Sequence, residues 1–152
     1  HGLSTDQGQP AVVYGTSKYY AALTRRLELT LLAAEAAAER KPYPLRRLVL
    51  IDSDIVVHSD LLGALEEHGA FTGKTPLTFA TSLCDSTMLN GGFIAIRPGG
   101  PAASLITRAI HALKLNHSYD KTDQGAFQNV YNHGGQSKMS LLPCRQFVPG
   151  CT

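Results

Sequence analysis

Leu48-Val49-Leu50-Ile51-Asp52-Ser53-Asp54-Ile55-Val56-Val57 is the segment from which most of the architecture can be inferred. Four aliphatic residues run into two aspartates spaced one apart, and three more aliphatic residues follow. The run is short, rich in β-branched residues and apolar on both faces, which is typical of a buried parallel strand. Unpaired charges inside such a strand are costly, so we expect Asp52 and Asp54 at its carboxyl end, where open α/β sheets bind ligands.

The spacing of the two aspartates indicates a cation site. Side chains alternate along a strand, so Asp52 and Asp54 would point the same way and could share one divalent metal ion. Such an ion would neutralise a diphosphate. An Asp-x-Asp pair after a strand is equally compatible with a helix cap, a turn or a solvated edge, and the pair alone does not separate these alternatives.

Segments with strand character alternate with segments of helical character along the chain. This alternation predicts an α/β fold with a mostly parallel sheet flanked by helices. The predicted strands are 11–14, 48–57, 77–80, 90–98 and 140–143. The predicted helices are 17–40 after Thr16 or Ser17 as cap, 61–68 after Asp60, 101–115, and 124–132 after Thr122 or Asp123.

Composition narrows the class of protein. A length of 152 residues, with 43% hydrophobic and 17% charged residues, fits a single globular domain spanning 1–152. The net charge of +2 is too small to indicate nucleic acid as a partner, and the pairs Arg25-Arg26 and Arg46-Arg47 are interpreted as solvated. No apolar run approaches the roughly 20 residues that span a bilayer, so no membrane contact is expected within this segment.

The cysteines and one tripeptide bear on the cellular compartment. Cys84, Cys144 and Cys151 have neither the spacing of zinc ligands nor an even count, so a Cys84–Cys144 disulfide and free thiols both stay open. Asn116-His117-Ser118 is an acceptor sequence for N-glycosylation in a polar segment, which favours a secretory location.

Three further features accompany the aspartates. Asn90-Gly91-Gly92 opens a strand, where glycine permits close approach of the backbone to a ligand or simply forms a turn. Asp123-Gln124 lies at a helix start, which suits a hydroxyl-rich or anionic ligand and equally suits a plain cap. Lys18, in the first turn of a helix, could hold a phosphate or lie on the surface.

The order of these features resembles the GT-A glycosyltransferases that use sugar nucleotides, particularly family 8 and its relatives of the glycogenin and galactinol synthase kind. The similar segments are the Asp-x-Asp strand, the strand from Asn90 to Pro98, Asp123-Gln124 with Asn129 close behind, and Leu142-Pro143. The resemblance covers about residues 16–149. It implies a GT-A, Rossmann-like fold and transfer of a sugar from a nucleotide diphosphate sugar to an acceptor hydroxyl on a carbohydrate, protein or small molecule. UDP-sugars are the donors that the resemblance favours.

The resemblance also implies roles for individual residues. Asp54 would coordinate Mn²⁺ (or Mg²⁺) directly, and Asp52 would contact both the metal and the nucleotide ribose. Lys18 would assist at the phosphates, while Asn90, Gly91 and Gly92 would line the sugar pocket. Asp123 and Gln124 would contact the transferred sugar or the acceptor hydroxyl. Ser53 and Asp85 would be neighbours of this donor site.

Members of family 8 retain the anomeric configuration, which requires no dedicated base. An inverting enzyme would instead use Asp123 or Asp85 to deprotonate the acceptor. The family supplies a third metal ligand from a histidine beyond the Leu-Pro pair and a nucleotide-base pocket from an N-terminal βα half. The resemblance therefore implies that residues 1–152 lack both parts. It favours the Golgi or secretory lumen, with the cytoplasm as the alternative.

Two other functions are compatible with the same residues. In a phosphatase of the haloacid dehalogenase type, Asp52 would be the nucleophile and Asp54 the acid/base. That fold needs a downstream Asp-Asp pair, which this sequence lacks, and it leaves Asn90-Gly91-Gly92 unexplained. A glycosyltransferase-like module that binds carbohydrate without catalysis is the other alternative.

Overall fold

The computed structural model describes residues 14–57, 60–81, 87–115, 118 and 120–143. The strands within these ranges are β1 (Leu48–Ile51), β2 (Leu77–Thr81), β3 (Leu89–Ile96) and β4 (Met139–Leu141). The helices are α1 (Ser17–Glu39), α2 (Leu61–Glu67), α3 (Gly100–Lys114) and α4 (Asp123–Val130). A π-helical turn, Tyr131–Gly135, and a 3₁₀ turn, Gln136–Lys138, connect α4 to β4. The predicted α/β class is therefore confirmed.

The sheet is mixed, and the prediction of a mostly parallel sheet was wrong. The strand order is β1-β3-β2-β4, in which β3 pairs antiparallel with both β1 and β2, and only β2 and β4 are parallel. The aliphatic composition of β1 reflects helices on both faces of the sheet, and such cover does not require parallel neighbours. Strand direction depends on contacts that are remote in sequence, so the local pattern could not supply it.

The predicted strand 48–57 is also too long. Strand β1 ends at Ile51, and the Ile55 amide donates to the carbonyl of Asp52 at 3.1 Å, which closes a turn across Ser53 and Asp54. Val56 is exposed beyond this turn. Strand alternation therefore does not relate Asp52 to Asp54, and β1 is a half-buried strand at the end of the sheet rather than a buried central one.

Helix starts follow the predicted caps. The side chains of Thr16, Asp60 and Thr122 accept hydrogen bonds from the amides of residues 19, 63 and 125, the third residue of each helix. The predicted strand residues 11–13, all three cysteines, Asp85 and sequon residues 116 and 117 lie outside the described part of the chain.

Two apolar clusters hold the helices on the sheet. On one face α1, α3 and α4 pack around Leu27, Phe79, Ile106 and Phe127, all essentially inaccessible. On the other face the segment containing α2 packs through Leu65 and Phe71. Alternation along β1 places Leu48 and Leu50 against the first cluster and Val49 and Ile51 against the second. Among the described helices none is both long and apolar enough to cross a membrane.

Candidate functional site: a polar cavity at the end of β1

A polar cavity of about 210 Å³ lies where β1 ends and where β3 and α4 begin. Six of the residues predicted as site residues line it: Asp52, Asn90, Gly91, Gly92, Asp123 and Gln124. Four further residues that were not assigned to the site complete the lining: Tyr19, Arg26, Asp120 and Thr122. The cavity thus gathers side chains from α1, β3, α4 and the residues that follow β1.

The antiparallel pairing of β1 with β3 brings Asp52 to Gly92. Because the strands run in opposite directions, the carboxyl end of β1 meets the amino end of β3, and Ile51 pairs with Phe93. The Asp52 amide continues this ladder by donating to the Gly92 carbonyl at 2.8 Å. A Cβ on Gly92 would lie 2.6 Å from Asp52 Oδ2, so only glycine leaves room for the carboxylate in its present place.

A break in the β2–β3 register turns the backbone of Gly91 towards α4. Phe79 pairs with Ile94 while Ala80 pairs with Asn90, so residues 91–93 have no register partner in β2. The Gly91 amide donates to Gln124 Oε1 at 3.3 Å, and a Cβ at this position would lie 3.1 Å from the Gln124 Cα. The glycines predicted to permit a close approach of the backbone therefore pack against both Asp52 and the start of α4.

Arg26 is the central residue of the cavity. Its Nη2 donates to Asp52 Oδ1 at 2.6 Å and to the Gly91 carbonyl at 2.9 Å, while its Nη1 donates to Asp123 Oδ2. The guanidinium side chain is 24% exposed and the Asp123 side chain 9%. One planar cation thus joins the end of β1, the start of β3 and the start of α4.

The interpretation of Arg26 as a solvated residue was wrong. It lies on α1 one position before Leu27 and four before Thr30, both buried against the sheet. Its position next to the apolar stripe of α1 was a signal of partial burial, but the sequence carried no signal for the carboxylates that pair with it. Its neighbour Arg25 fits the interpretation, since its side chain is 64% exposed.

Two further carboxylates of the cavity, those of Asp120 and Asp123, lie at or just before the amino end of α4. The Asp123 side chain accepts from the Gln124 amide at 2.9 Å through Oδ1 while Oδ2 faces Arg26. Asp120 accepts from the amide of Thr122 at 3.0 Å and from its hydroxyl through the single oxygen Oδ1. These contacts fix the two carboxylates as hydrogen-bond acceptors on one side of the cavity.

Burial and charge shift two pKa values at the site. The pKa of Asp52 is raised, chiefly because burial removes water from the carboxylate; Arg26 opposes the shift, and the charges of Asp123 and Asp54 add to it. The pKa of Tyr19 is also raised, first by burial and then by Tyr14 and the two α4-side acids. Loss of water around the two side chains is therefore the main cause of both pKa shifts, and the neighbouring charges modify it.

Three predicted donor-site residues do not line the cavity. Lys18 is exposed in the first turn of α1, and Arg26, two turns further along the same helix, provides the positive charge instead. Ser53 and Asp54 are exposed in the turn that follows β1. The structure therefore places Asp54 beside the cavity, close enough to act on the pKa of Asp52, and leaves Lys18 outside it.

A divalent metal ion at this site would be held by few protein side chains. In the described ranges no group of three or more His, Cys, Asp or Glu side chains is arranged to hold a metal ion. Mg²⁺ and similar hard ions, however, are commonly bound by one or two carboxylates together with substrate phosphates and water. The carboxylates of Asp52, Asp54 and Asp123 exceed the single guanidinium of Arg26 in charge, so the residues present fit such an ion.

The comparisons with known proteins identify no relative. The chain matches no family model, and no curated protein or solved structure is significantly similar to it. The function of the site must therefore be inferred from its own geometry and from the order of motifs in the sequence.

Proposed function

We propose that this protein is a metal-dependent glycosyltransferase of the GT-A type that transfers a sugar from a UDP-sugar to an acceptor hydroxyl with retention. One observation carries the proposal. Six residues that the motif order assigns to sugar and donor binding, although scattered from position 52 to 124, line a single polar cavity.

The cavity suits one sugar ring. Its volume of about 210 Å³ lies below the range of about 300–1,000 Å³ that is usual for sites that enclose larger ligands. It offers carboxylate, amide and backbone groups that can donate to or accept from hydroxyls in several directions. The nucleotide and its phosphates would then lie outside the cavity, on the side of Asp54.

Asp52 and Asp54 are the residues that would hold the metal. When bound, Mn²⁺ or Mg²⁺ would act as a Lewis acid and stabilise the departing nucleoside diphosphate. The carboxylates of Asp52, Asp54 and Asp123 outnumber the single guanidinium of Arg26, and this excess of negative charge favours a further cation at this position.

The chain's own residues would hold and orient the sugar. Arg26 fixes the carboxylates of Asp52 and Asp123 relative to each other, so that both face one ring. Gln124 would bind sugar hydroxyls, as its side chain already accepts from Gly91 and can turn its amide to the cavity. Asp123 would accept a hydroxyl hydrogen bond beside the reacting centre, with its orientation fixed by the Gln124 amide.

A carbohydrate-binding module without transferase activity is the second candidate. The pairing of Arg26 with both Asp52 and Asp123 favours it, because these carboxylates have a cationic partner without any metal. A module of this kind would bind sugar in the same cavity but would have no requirement for Mn²⁺ or a nucleotide.

Calorimetric titration of UDP, with and without Mn²⁺, tests the proposal. We expect UDP binding to require Mn²⁺ and to weaken at least about tenfold, roughly 1.4 kcal/mol, in Asp52→Asn and Asp54→Asn. Asp60→Asn is the matched control, since Asp60 caps α2 and does not line the cavity.

Each contrary outcome points to a different function. A folded protein that fails to bind UDP, or binds it without regard to Mn²⁺ and Asp54, contradicts the transferase and leaves the binding module. Binding of beryllium fluoride that depends on Asp52 would instead indicate the phosphatase chemistry, in which this carboxylate is a nucleophile.

A further inference from the structure

Three tyrosines form a continuous aromatic surface at the start of α1. The ring centroids of Tyr14 and Tyr19 lie 4.8 Å apart and those of Tyr19 and Tyr20 lie 5.6 Å apart, the second pair edge to face. Tyr19 also lines the polar cavity, whereas Tyr14 is 70% exposed. The surface therefore runs from the cavity wall into solvent.

The position of Tyr19 distinguishes it from the other exposed rings. Tyr19 and Tyr20 are half-buried and Tyr14 is exposed, so part of the surface is open to a ligand, and it adjoins a cavity already rich in hydrogen-bonding groups. Tyr43 is more exposed than Tyr14, but it follows the far end of α1 and does not line the cavity. Among the residues that the structure describes, the three-tyrosine surface is the one that combines ring faces with polar groups suited to a hydroxyl-bearing ligand.

The charges around Tyr19 determine which kind of ligand could stack on its ring. Asp120 and Asp123 act on its hydroxyl, and Arg26, which lines the same cavity, pairs with Asp123, so acids outnumber cations near the ring. A phosphate-bearing group placed here would be repelled by both carboxylates. A neutral ring with C–H bonds on one face and hydroxyls on its rim would instead contact the negative ring face and donate to the carboxylates.

We propose that Tyr19, supported by Tyr14 and Tyr20, forms a stacking subsite for a neutral sugar ring of the acceptor, next to the cavity that takes the transferred sugar. The acceptor assignment rests on the proposed transferase function. It narrows the acceptor from any hydroxyl compound to a carbohydrate, with Asp120 accepting from its hydroxyls. Tyr19 is then a residue that determines acceptor specificity.

Saturation-transfer NMR with lactose, maltose and cellobiose as probes tests the subsite. We expect at least one disaccharide to bind the wild-type protein, and its affinity to fall about three- to tenfold in Tyr19→Leu. Tyr19→Phe, which keeps the ring, should retain binding within about twofold. Tyr43→Leu is the matched control for loss of an exposed tyrosine, and circular dichroism checks that each variant is folded.

The possible results separate this proposal from the transferase proposal. If none of the disaccharides binds, or if Tyr19→Leu binds them as wild type does, the subsite is overturned. A parallel loss of Mn²⁺-dependent UDP binding in Tyr19→Leu would assign the ring to the nucleobase and also overturn it. Tyr19-dependent sugar binding in a protein that does not bind UDP would support the subsite while removing the transferase.

Discussion

Arg26 lines two cavities, which differ in volume and in the polarity of the residues around them. The larger, about 490 Å³, is an apolar groove between α1 and the end strand β1, with Arg25 at its border. The smaller, about 210 Å³, is the polar cavity at the end of β1. The groove is lined mainly by side chains that pack, such as Leu29 and Leu48, whereas the cavity is lined by side chains that are held in place by hydrogen bonds.

The two spaces differ in how their polar groups are arranged. In the groove the polar groups are few, and Arg25 pairs with its helical neighbour Glu28 at 3.7 Å. In the cavity Arg26 joins carboxylates from two other elements, 26 and 97 residues away. Ligand binding requires several polar groups that are held in place and point towards one another. Of the two cavities, only the smaller one has such an arrangement among the described residues.

Substitution of the two adjacent arginines tests this comparison with the largest expected effect. Arg26→Ala should lower the free energy of unfolding by about 2–4 kcal/mol, because it leaves the nearly buried Asp123 carboxylate without its cation. Arg25→Ala should change it by no more than about 0.5 kcal/mol, since its ion pair is exposed. Urea unfolding of the three proteins measures both values, and equal losses would mean that Arg26 acts only through its packing.

Gly92→Ala tests how closely β3 approaches the Asp52 carboxylate, and it should change the free energy of unfolding less than Arg26→Ala does. The new Cβ would lie 2.6 Å from Asp52 Oδ2, so the carboxylate or the β3 backbone must shift. We expect a loss of about 1–3 kcal/mol in the free energy of unfolding, typical of overpacking, together with weaker Mn²⁺-dependent UDP binding if the transferase proposal holds.

Gly100→Ala is the matched control for the same chemical change. Gly100 begins α3, and a Cβ there would meet nothing within 4 Å apart from its immediate chain neighbours. This variant should stay within about 1 kcal/mol of wild type, because alanine restricts the unfolded chain while Pro101 disfavours helical backbone at the residue before it. If Gly92→Ala behaves like Gly100→Ala in chemical denaturation, the approach of β3 to Asp52 is looser than the geometry indicates.

The helices could be predicted because their signals are local. Thr16, Asp60 and Thr122 each cap a helix through contacts within three residues, and the sequence displays both partners of each contact. The motif residues Asp52, Gly92 and Asp123 could also be singled out from the sequence, since their residue types are informative wherever the chain places them, and all three line the polar cavity. Their assignment to one site followed from the resemblance, and their convergence could not be derived from spacing.

The strand directions and Arg26 could not be predicted because they depend on remote pairings. The aliphatic run before Asp52 is compatible with either direction of its neighbour, and the antiparallel pairing with β3 is what brings Gly92 beside Asp52. Arg26 has no informative neighbour on α1, since its partners lie on other elements. Strand alternation likewise failed to relate Asp52 to Asp54 because a turn begins directly after Ile51.

The smallest expected effect is the pH dependence of stability. It shows whether the ionised carboxylate of Asp52 in the polar cavity lowers the free energy of unfolding. The folded chain raises the pKa of Asp52, so it binds that proton more strongly than the unfolded chain does. Raising the pH from the unfolded value near 4 through the folded pKa therefore lowers the free energy of unfolding. We therefore expect the ionised Asp52 to reduce stability at neutral pH despite its contact with Arg26.

Asp52→Asn should accordingly be more stable than wild type at pH 7, and the difference should shrink as the pH falls and vanish below about pH 4. Asp54→Asn, at an exposed turn position, should stay within about 0.5 kcal/mol of wild type at both pH values. Urea unfolding at pH 7 and pH 4 measures these differences. A less stable Asp52→Asn at pH 7 would mean that the Arg26 contact outweighs the loss of water around Asp52. Greater stability combined with lost UDP binding would instead show that the cavity keeps a destabilising charge because ligand binding requires it.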